Sequence, residues 1–365
     1  MKRSLSSLAM LSVLCIPSAA DTLVADRPEI QVKPKARLKA WPFELDRVRL
    51  LDGPFRRAML TDAQYLLDIS PDRLLSRFRQ YSGLPAKAPE YKGWESATIS
   101  GHTLGHYLSA VSMMFAATGD KRFLERANYI VQEISLAQKQ HGDGFVGGFP
   151  QAERLWTEIA AGQIKTQVFD LNGIWVPWYT THKLFAGLTD AYLLCGSSEA
   201  RAIMVRLADW AIALTDKLSD EQMQQMMATE HGGVLESFSD VYAITGDPKY
   251  LKLAQRFYHK RFMDPLAERK DMLTGIHGNT NIPKVIGAAR QYELTGDERF
   301  RTISEFFWDK VVNERSYVIG GHGDDEYWFP PDPLQRTRNQ SHGRDLQHVQ
   351  HAAPHTAPVR LGSLC

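Results

Sequence analysis

Clusters of His, aromatic and acidic residues recur along this 365-residue chain, in segments that separate apolar stretches. The segments are GWESATISGHTLGHYLSA (93–110), DGFVGGFPQAE (143–153), WVPWYTTHKLFAGL (175–188), EHGGVLE (230–236), TGIHGNTNIPK (274–284) and IGGHGDDEYWFPP (319–331). Aromatic faces stack on the apolar face of a sugar ring, while His, Asn and acids make directional hydrogen bonds to hydroxyl groups. The mixture predicts a carbohydrate site. For each single His, the alternative is a capping or core residue with its hydrogen bonds made.

Glu326 is the carboxyl group that we expect to perform acid–base chemistry. It lies between Asp325 and the aromatic run Tyr327–Phe329. Desolvation and a like-charged neighbour are the conditions that prepare a carboxyl group to act as a general acid near neutral pH. The alternative is a solvated acidic turn made of Asp324, Asp325 and Glu326, and the residues alone leave both interpretations open.

Four segments predict the helical hairpins that must position these residues. Each closes an apolar helix with a turn and opens another: FAATGDKRFLERA (115–127), YLLCGSSEARAIM (192–204), YAITGDPKYLKLA (242–254) and YELTGDERFRTIS (292–304). The Gly of a TGD turn suits the left-handed position after a helix, and the Asp caps the next helix. The last three turns recur every fifty residues, which indicates stacked helical pairs. We therefore predict an all-α fold, an (α/α) toroid of the six-hairpin type, with an open solenoid as the alternative.

Composition and the N-terminus bound the class of protein. A formal net charge of +1 gives no general attraction to nucleic acid or to an anionic membrane. Residues 1–20 have the basic start, apolar run and small residues of a signal peptide, so we predict a secreted or periplasmic protein without a membrane anchor. Residues 21–42 are a lead segment. Cys195 and Cys365 are too few for a disulfide framework.

The apolar periodicity stops after Asp332, and residues 333–365 follow neither a helical nor a strand pattern. We therefore expect a helical domain over residues 43–332, incomplete at its C-terminal end, followed by an aberrant, disordered tail. His348, His351 and His355 have helical spacing for a metal, but Pro354 and Pro358 interrupt the helix.

The motifs GHTLGHYLSA, DGFVGGFP, YTTHKLFAGL, HGNTNIPK and GGHGDDEYW occur in an order that resembles glycoside hydrolase families 127 and 146, the β-L-arabinofuranosidase group. The resemblance runs from about Phe43 to Pro331. It implies an α/α toroid followed by β-sandwich domains, and an enzyme that removes β-L-arabinofuranosyl units from plant-derived glycans with retention of configuration. It also implies a zinc ion held by one Glu and three Cys, one of which is the nucleophile, and a separate Glu as acid/base.

Residue by residue, the resemblance implies the following roles. Glu326 matches the acid/base Glu. His182 and His277 match sugar-contacting histidines, and His102 and His106 belong to a motif that we expect to line the pocket. We add Trp94, Trp178 and Asn279 as substrate-binding residues because they lie in the same segments.

The zinc ligands do not carry over to this chain, since the Glu-Thr-Cys motif expected after Glu326 is missing. Back-translation of RDLQHVQHAAPH with permitted codons, read one base later, spells ETCNTYNMLRL. We therefore expect a one-base frameshift near Asp332 or Pro333, no bound zinc and no turnover by this chain. A thiol needs activation to attack the anomeric carbon, and Cys195, on a repeat turn, is a poor substitute.

Two alternatives remain open at this point. One is a non-catalytic toroid that binds glycans through the same aromatic and His segments. The other is a glycosidase that works with carboxylates alone, in which Glu326 would need an acidic partner such as Asp324, Glu95 or Glu236. Binding of sugar by the chain itself, or the distance between the two carboxyl groups, separates these alternatives.

Overall fold

The structure, a computed structural model, describes residues 29–38, 40, 42–317 and 320–331. The predicted signal peptide and the predicted tail lie outside these ranges, as do residues 21–28, 39 and 41 of the lead segment. The described part is built mainly of helices, and its α-helices are α1 (Pro54–Asp68), α2 (Pro71–Tyr81), α3 (His102–Thr118), α4 (Lys121–His141), α5 (Ala152–Ala160), α6 (Pro177–Cys195), α7 (Ser198–Thr215), α8 (Asp220–Met226), α9 (Val234–Thr245), α10 (Pro248–Arg256), α11 (Lys260–Ala267), α12 (Gly278–Thr295) and α13 (Glu298–Trp308).

Short strands accompany the helices. β1 (Thr166–Gln167), β2 (Asp170–Leu171) and β3 (Ile174–Trp175) form an antiparallel sheet in the order β1-β2-β3, and β4 (Gly323–Asp324) pairs with β5 (Tyr327–Trp328). The prediction of an all-α chain is confirmed, because these two-residue strands only shape loops between helices.

The predicted hairpin turns are confirmed. The helices that precede them end at glycines in the left-handed conformation, with φ of 74° at Gly119, 73° at Gly246 and 71° at Gly296. The next residue caps the following helix in each case, as Asp247 does by accepting a hydrogen bond from the Lys249 N–H. Local chemistry therefore sets where each hairpin turns.

The hairpins form two layers. The first helices of the four pairs, α3, α6, α9 and α12, pack against one another as an inner layer, and their partners α4, α7, α10 and α13 lie outside. Every pair turns at the same end, so the inner helices run parallel. The loops that precede them therefore meet at the opposite end, where the His-rich and aromatic segments of the sequence come together.

The inner helices approach one another closely. Gly105 and Gly187 lie at the contact between α3 and α6, where a Cβ on Gly105 would be 2.1 Å from the carbonyl oxygen of Lys183. At the turn end, residues of the lead segment bond to the inner helices. The backbone N–H groups of Gln31 and Lys35 donate to the carbonyl oxygens of Ala243 and Glu293.

None of the helices in the described ranges combines the length and the apolar character needed to cross a membrane.

Candidate active site

Glu326 lies at the tip of the β4–β5 hairpin. Its loop consists of Asp325 and Glu326, with φ of 48° and 73°, between paired residues Asp324 and Tyr327. Two central residues with positive φ describe a type I′ turn, in which Asn-Gly is preferred. A Glu in this conformation is strained, and strain of this kind concentrates at functional sites.

The hairpin is fixed to the start of α12 by backbone hydrogen bonds. The Gly278 N–H donates to the Glu326 carbonyl oxygen at 2.8 Å, and the Trp328 N–H donates to the Ile276 carbonyl oxygen at 2.9 Å. Trp328 is buried against Phe307. The side chain of Glu326 is about one-third exposed, so it faces solvent from an anchored loop.

His277 holds the carboxylate of Glu326. It is the N-cap of α12, and its Nδ1 accepts a hydrogen bond from the Thr280 N–H at 3.1 Å. Because Nδ1 is an acceptor there, the neutral ring carries its proton on Nε2. Nε2 lies 2.9 Å from Glu326 Oε2 and donates to it. The structure therefore brings together Glu326 and His277, which the sequence placed 49 residues apart.

Trp94, His102 and His106 form a second group at the same end of the inner helices. The ring centroid of His102 lies 5.8 Å from Trp94 and 6.2 Å from His106, one turn further along α3. Trp94 is 55% exposed, so its ring face is accessible to a sugar. Glu95 is buried and accepts hydrogen bonds from the Gly101 and Thr103 N–H groups, which holds the start of α3.

The surroundings keep these imidazoles neutral. Burial lowers the pKa of His102, against the attraction of Glu95. His106 has accessible surface, yet the surrounding protein removes enough water to lower its pKa to about 3, with Lys183 and His102 adding repulsion. His106 is therefore a solvent-accessible imidazole that stays neutral at this end of the inner helices. Neutral imidazoles there both donate and accept hydrogen bonds, as sugar hydroxyl groups require.

His182 is buried, and the Gly232–Gly233 backbone packs on its ring. A Cβ on Gly232 would lie 2.8 Å from His182 Nδ1, and one on Gly233 would lie 2.7 Å from Nε2. Burial lowers the pKa of His182 far below its ordinary value. Within the described residues its Nδ1 is buried and has no hydrogen-bond partner. The Gly232–Gly233 backbone covers this ring, so a sugar contact of His182 stays a prediction.

The predicted sugar contact of Trp178 is wrong. Its side chain is fully buried, with ring centroids 5.0 Å from Trp156 and 5.0 Å from Phe257, and its indole N–H donates to Met226 Sδ. Pattern alone could not distinguish it from Trp94, because an aromatic shortly before an inner helix or in its first turn serves either the core or the site. Trp178 belongs to the core.

Asn279 lies beside a carboxyl group that the sequence analysis did not single out. Its Nδ2 donates to Glu230 Oε1 at 3.4 Å. Glu230 is only 5% exposed, and burial raises its pKa to about 7, against the attraction of Lys183 and Lys284 and with the repulsion of Glu326 adding to the shift. The signal that would have found it is its position in EHGG, directly before an inner helix.

Lys183 interacts electrostatically both with the histidines near Trp94 and with Glu230. It interacts with His102, His106 and His182 on one side and with Glu230 on the other, and burial lowers its pKa to about 8. The predicted site residues other than Trp178 thus belong to one connected region. Glu95 was one predicted carboxylate partner of Glu326, but its carboxylate accepts hydrogen bonds from backbone N–H groups. The carboxyl group that interacts electrostatically with Glu326 is Glu230.

We expect the stability of the protein to depend on the ionisation of Glu230. Its folded-state pKa of about 7 exceeds its ordinary value, so the folded state holds more protons than the unfolded state between about pH 4.5 and pH 7. Its contribution to stability is therefore present below pH 4.5 and is lost as the pH rises to 7. Glu230→Gln should gain stability relative to the wild type across this window, by at most about 1.4 kcal/mol per pH unit.

Urea denaturation of both proteins at pH 5, 6, 7 and 8 measures this difference. Glu158→Gln, at an exposed ion pair with Arg154, is the control and should show no such gain with rising pH. A difference between Glu230→Gln and the wild type that stays constant from pH 5 to pH 8 contradicts the assignment.

No group of three or more His, Cys, Asp or Glu in the described ranges fits a metal ion. The free cysteine of the described part, Cys195, ends α6 at the turn end of the hairpins. At 1.5 Å per helical residue it lies roughly 18 Å along α6 from Lys183. Among the residues that the structure describes, none therefore forms a zinc and thiolate site of the kind that the resemblance implies.

Comparison with solved structures supports the fold. A GH127 β-L-arabinofuranosidase from Geobacillus stearothermophilus T6 matches with a TM-score of 0.51 and 16% identity, over 78% of this chain and 45% of that one. A second structure, a GH127 β-arabinofuranosidase, matches with a TM-score of 0.57 and 18% identity, over 80% of this chain and 47% of that one. The chain spans slightly less than half the length of both. The predicted α/α toroid is confirmed.

Comparison with curated proteins finds no significant match. The family model described as the beta-L-arabinofuranosidase, GH127 catalytic domain, matches residues 47–342, which is most of the chain. The motifs, the toroid and the family match agree, and the chain belongs to the GH127 β-L-arabinofuranosidase family of glycoside hydrolases.

Proposed function

We propose that this chain carries the sugar-recognising part and the acid/base residue, Glu326, of a retaining glycosidase that acts on plant-derived, arabinose-containing glycans. The observation that carries the proposal is the contact of Glu326 Oε2 with His277 Nε2 at 2.9 Å, at the end of the toroid where Trp94, His102 and His106 also lie. A carboxyl group held by an imidazole, at the same end of the toroid as further imidazoles and an exposed indole, matches what glycosidic bond cleavage needs.

The roles of the residues follow from their positions. Trp94 offers an exposed ring face to stack on a sugar, while His102 and His106 present neutral nitrogens from α3. Glu326, held by His277, would protonate the leaving oxygen and later accept a proton from water.

The resemblance implies a zinc ion and a cysteine nucleophile, but we do not include them in this proposal. Among the described residues, no group of three or more His, Cys, Asp or Glu side chains could hold a metal ion. We infer that this chain binds sugar without turnover, and that it is exported through residues 1–20. A carboxylate-only reaction is the second candidate, favoured by the interaction of Glu326 with Glu230.

Isothermal titration with an arabinofuranosyl oligosaccharide tests the proposal. We expect the chain to bind it, and Trp94→Ala to weaken binding about fivefold, because stacking on an aromatic ring contributes on the order of 1 kcal/mol. Tyr65→Ala is the matched control and should bind as the wild type does, because Tyr65 is an exposed aromatic on α1 and belongs to none of the segments that form the site.

Hydrolysis of a chromogenic β-L-arabinofuranoside is measured in parallel. No hydrolysis with binding retained supports the inferred role, whereas hydrolysis that Glu326→Gln and Glu230→Gln both abolish favours the carboxylate-only reaction. Absence of binding to arabinofuranosyl, galactosyl and xylosyl oligosaccharides alike would overturn the proposal.

A further inference from the structure

A polar cavity of about 430 Å³ lies beside the β1-β2-β3 sheet. Arg154 and Glu158 of α5 line one part of it, and Gln167, Asp170 and Asn172 of the sheet region line another. Its volume falls within the range of sites that bind small molecules, roughly 300–1,000 Å³. The cavity is therefore large enough to hold a ligand of its own.

The charges that line this cavity balance. Arg154 and Lys165 are cationic, and Glu158 and Asp170 are anionic, so the lining does not favour an ion of either sign. Amide side chains of the lining, such as that of Gln167, both donate and accept hydrogen bonds. A neutral ligand with many hydroxyl groups fits this lining better than a phosphate or a carboxylate does.

Hydrogen bonds hold the walls of the cavity in place. Glu158 accepts from Arg154 Nη1 and from Asn172 Nδ2, both at 2.8 Å. Asn172 Oδ1 accepts from the Lys165 N–H at 2.8 Å, and Asp170 Oδ1 accepts from the Gly173 N–H at 2.8 Å. Because α5 and the sheet are joined before any ligand arrives, binding orders few side chains and costs little entropy.

The sheet is also fixed beside the proposed acid/base residue. Phe169 lies in the loop between β1 and β2, and its ring centroid is 5.1 Å from that of His277, which holds Glu326. In the same loop, the Val168 carbonyl oxygen accepts a hydrogen bond from the Glu230 N–H at 2.8 Å. The cavity and the candidate active site thus share the β1-β2-β3 sheet as a wall.

A row of side chains connects the cavity with the exposed indole of the active site. Gln167 of β1 pairs with Asp170 of β2, and Asp170 pairs with Trp175 of β3, so the three side chains share one face of the sheet. The Trp175 ring centroid lies 5.9 Å from that of Trp94. With neighbouring strands about 4.8 Å apart, the row extends on the order of 15 Å from Trp94 to Gln167, the length of a short oligosaccharide.

We propose that this cavity is a second carbohydrate site, which binds neutral sugar units of the glycan beyond the unit that stacks on Trp94. The inference rests on the proposed function and extends it to the rest of the substrate. Intervening units would pass over Trp175. A glycan that reaches both places gains affinity from each, whereas a single arabinofuranosyl unit reaches only the Trp94 end.

Saturation-transfer NMR titrations of the full chain test this site with two ligands. One is methyl β-L-arabinofuranoside, and the other is a neutral tetrasaccharide that ends in the same unit. We expect the tetrasaccharide to bind about tenfold more tightly, because hydrogen bonds in the cavity add to stacking on Trp94. Protons of its units far from the arabinofuranosyl end should receive saturation from the protein.

A double variant, Lys165→Ala with Gln167→Ala, removes two exposed side chains of the cavity. We expect it to bind the tetrasaccharide only as tightly as the methyl glycoside and to lose saturation of the far units. Its affinity for the methyl glycoside should equal that of the wild type. Lys252→Ala with Gln255→Ala is the matched control, since these exposed residues line a cavity of similar volume between the outer helices α8, α10 and α13. It should behave as the wild type does.

Two results would overturn the second site: equal affinity of the wild type for both ligands, or a tenfold preference for the tetrasaccharide that survives in the Lys165 and Gln167 double variant. In either case binding of the methyl glycoside leaves the proposed function standing. Absence of binding by both ligands is instead a failure of the proposed function, and the second site falls with it.

Discussion

Replacing Arg290 with Met should destabilise the protein by about 3–5 kcal/mol, because removing one partner of a buried ion pair leaves uncompensated charge in the interior. The side chain of Arg290 is 6% exposed. Its guanidinium donates to Asp240 Oδ1 at 2.7 Å and contacts Glu293 Oε2 at 2.8 Å. Both carboxylates would remain inside the layer formed by α9 and α12. Urea denaturation at pH 7 measures the loss.

Arg301→Met is the matched control for this prediction. Arg301 also pairs with two carboxylates, Glu298 and Glu305, but it is 39% exposed, and surface pairs contribute about 0–1 kcal/mol. Adding Asp240→Asn and Glu293→Gln to Arg290→Met should recover part of the stability, since the buried charges are then neutral. Equal losses for Arg290→Met and Arg301→Met would contradict the argument from burial.

Replacing Gly105 with Ala should cost stability at or above the upper end of the roughly 1–3 kcal/mol typical of overpacked cores. The new Cβ would lie 2.1 Å from the Lys183 carbonyl oxygen and 2.7 Å from the Leu184 nitrogen. These are backbone atoms of α6 and cannot move aside as a side chain can. Ala is ordinarily the better helix former, by about 1 kcal/mol, so a loss reverses the usual sign.

A graded comparison distinguishes steric contact from other effects. Gly187→Ala places its Cβ 2.5 Å from the Gly105 carbonyl oxygen and should also destabilise strongly. Gly287→Ala first meets the side chain of Leu235 at 2.8 Å, which can adjust, so its loss should be smaller. The midpoints of thermal unfolding rank the three variants, and a stable Gly105→Ala would show that α3 and α6 do not pack as closely as described.

Sequence motifs identified some residues of the candidate site and missed others. His277 and Glu326 were singled out from their motifs, and the structure joins them at 2.9 Å. Trp94 and Trp178 occur in equivalent segments, but one is 55% exposed and the other fully buried. Glu230 escaped notice because its raised pKa comes from burial in the folded protein, against the attraction of Lys183 and Lys284 from two other helices.

The sequence by itself determined the helical hairpins, their turns and the end of the fold at which the His-rich loops gather. Those features depend on interactions between residues close in the chain, such as a left-handed Gly followed by a capping Asp. Only the tertiary structure decided which aromatic enters the core, which carboxyl group is buried, and that His277 lies against Glu326. Burial and electrostatic shifts sum over neighbours from several helices, and no local pattern in the chain specifies that sum.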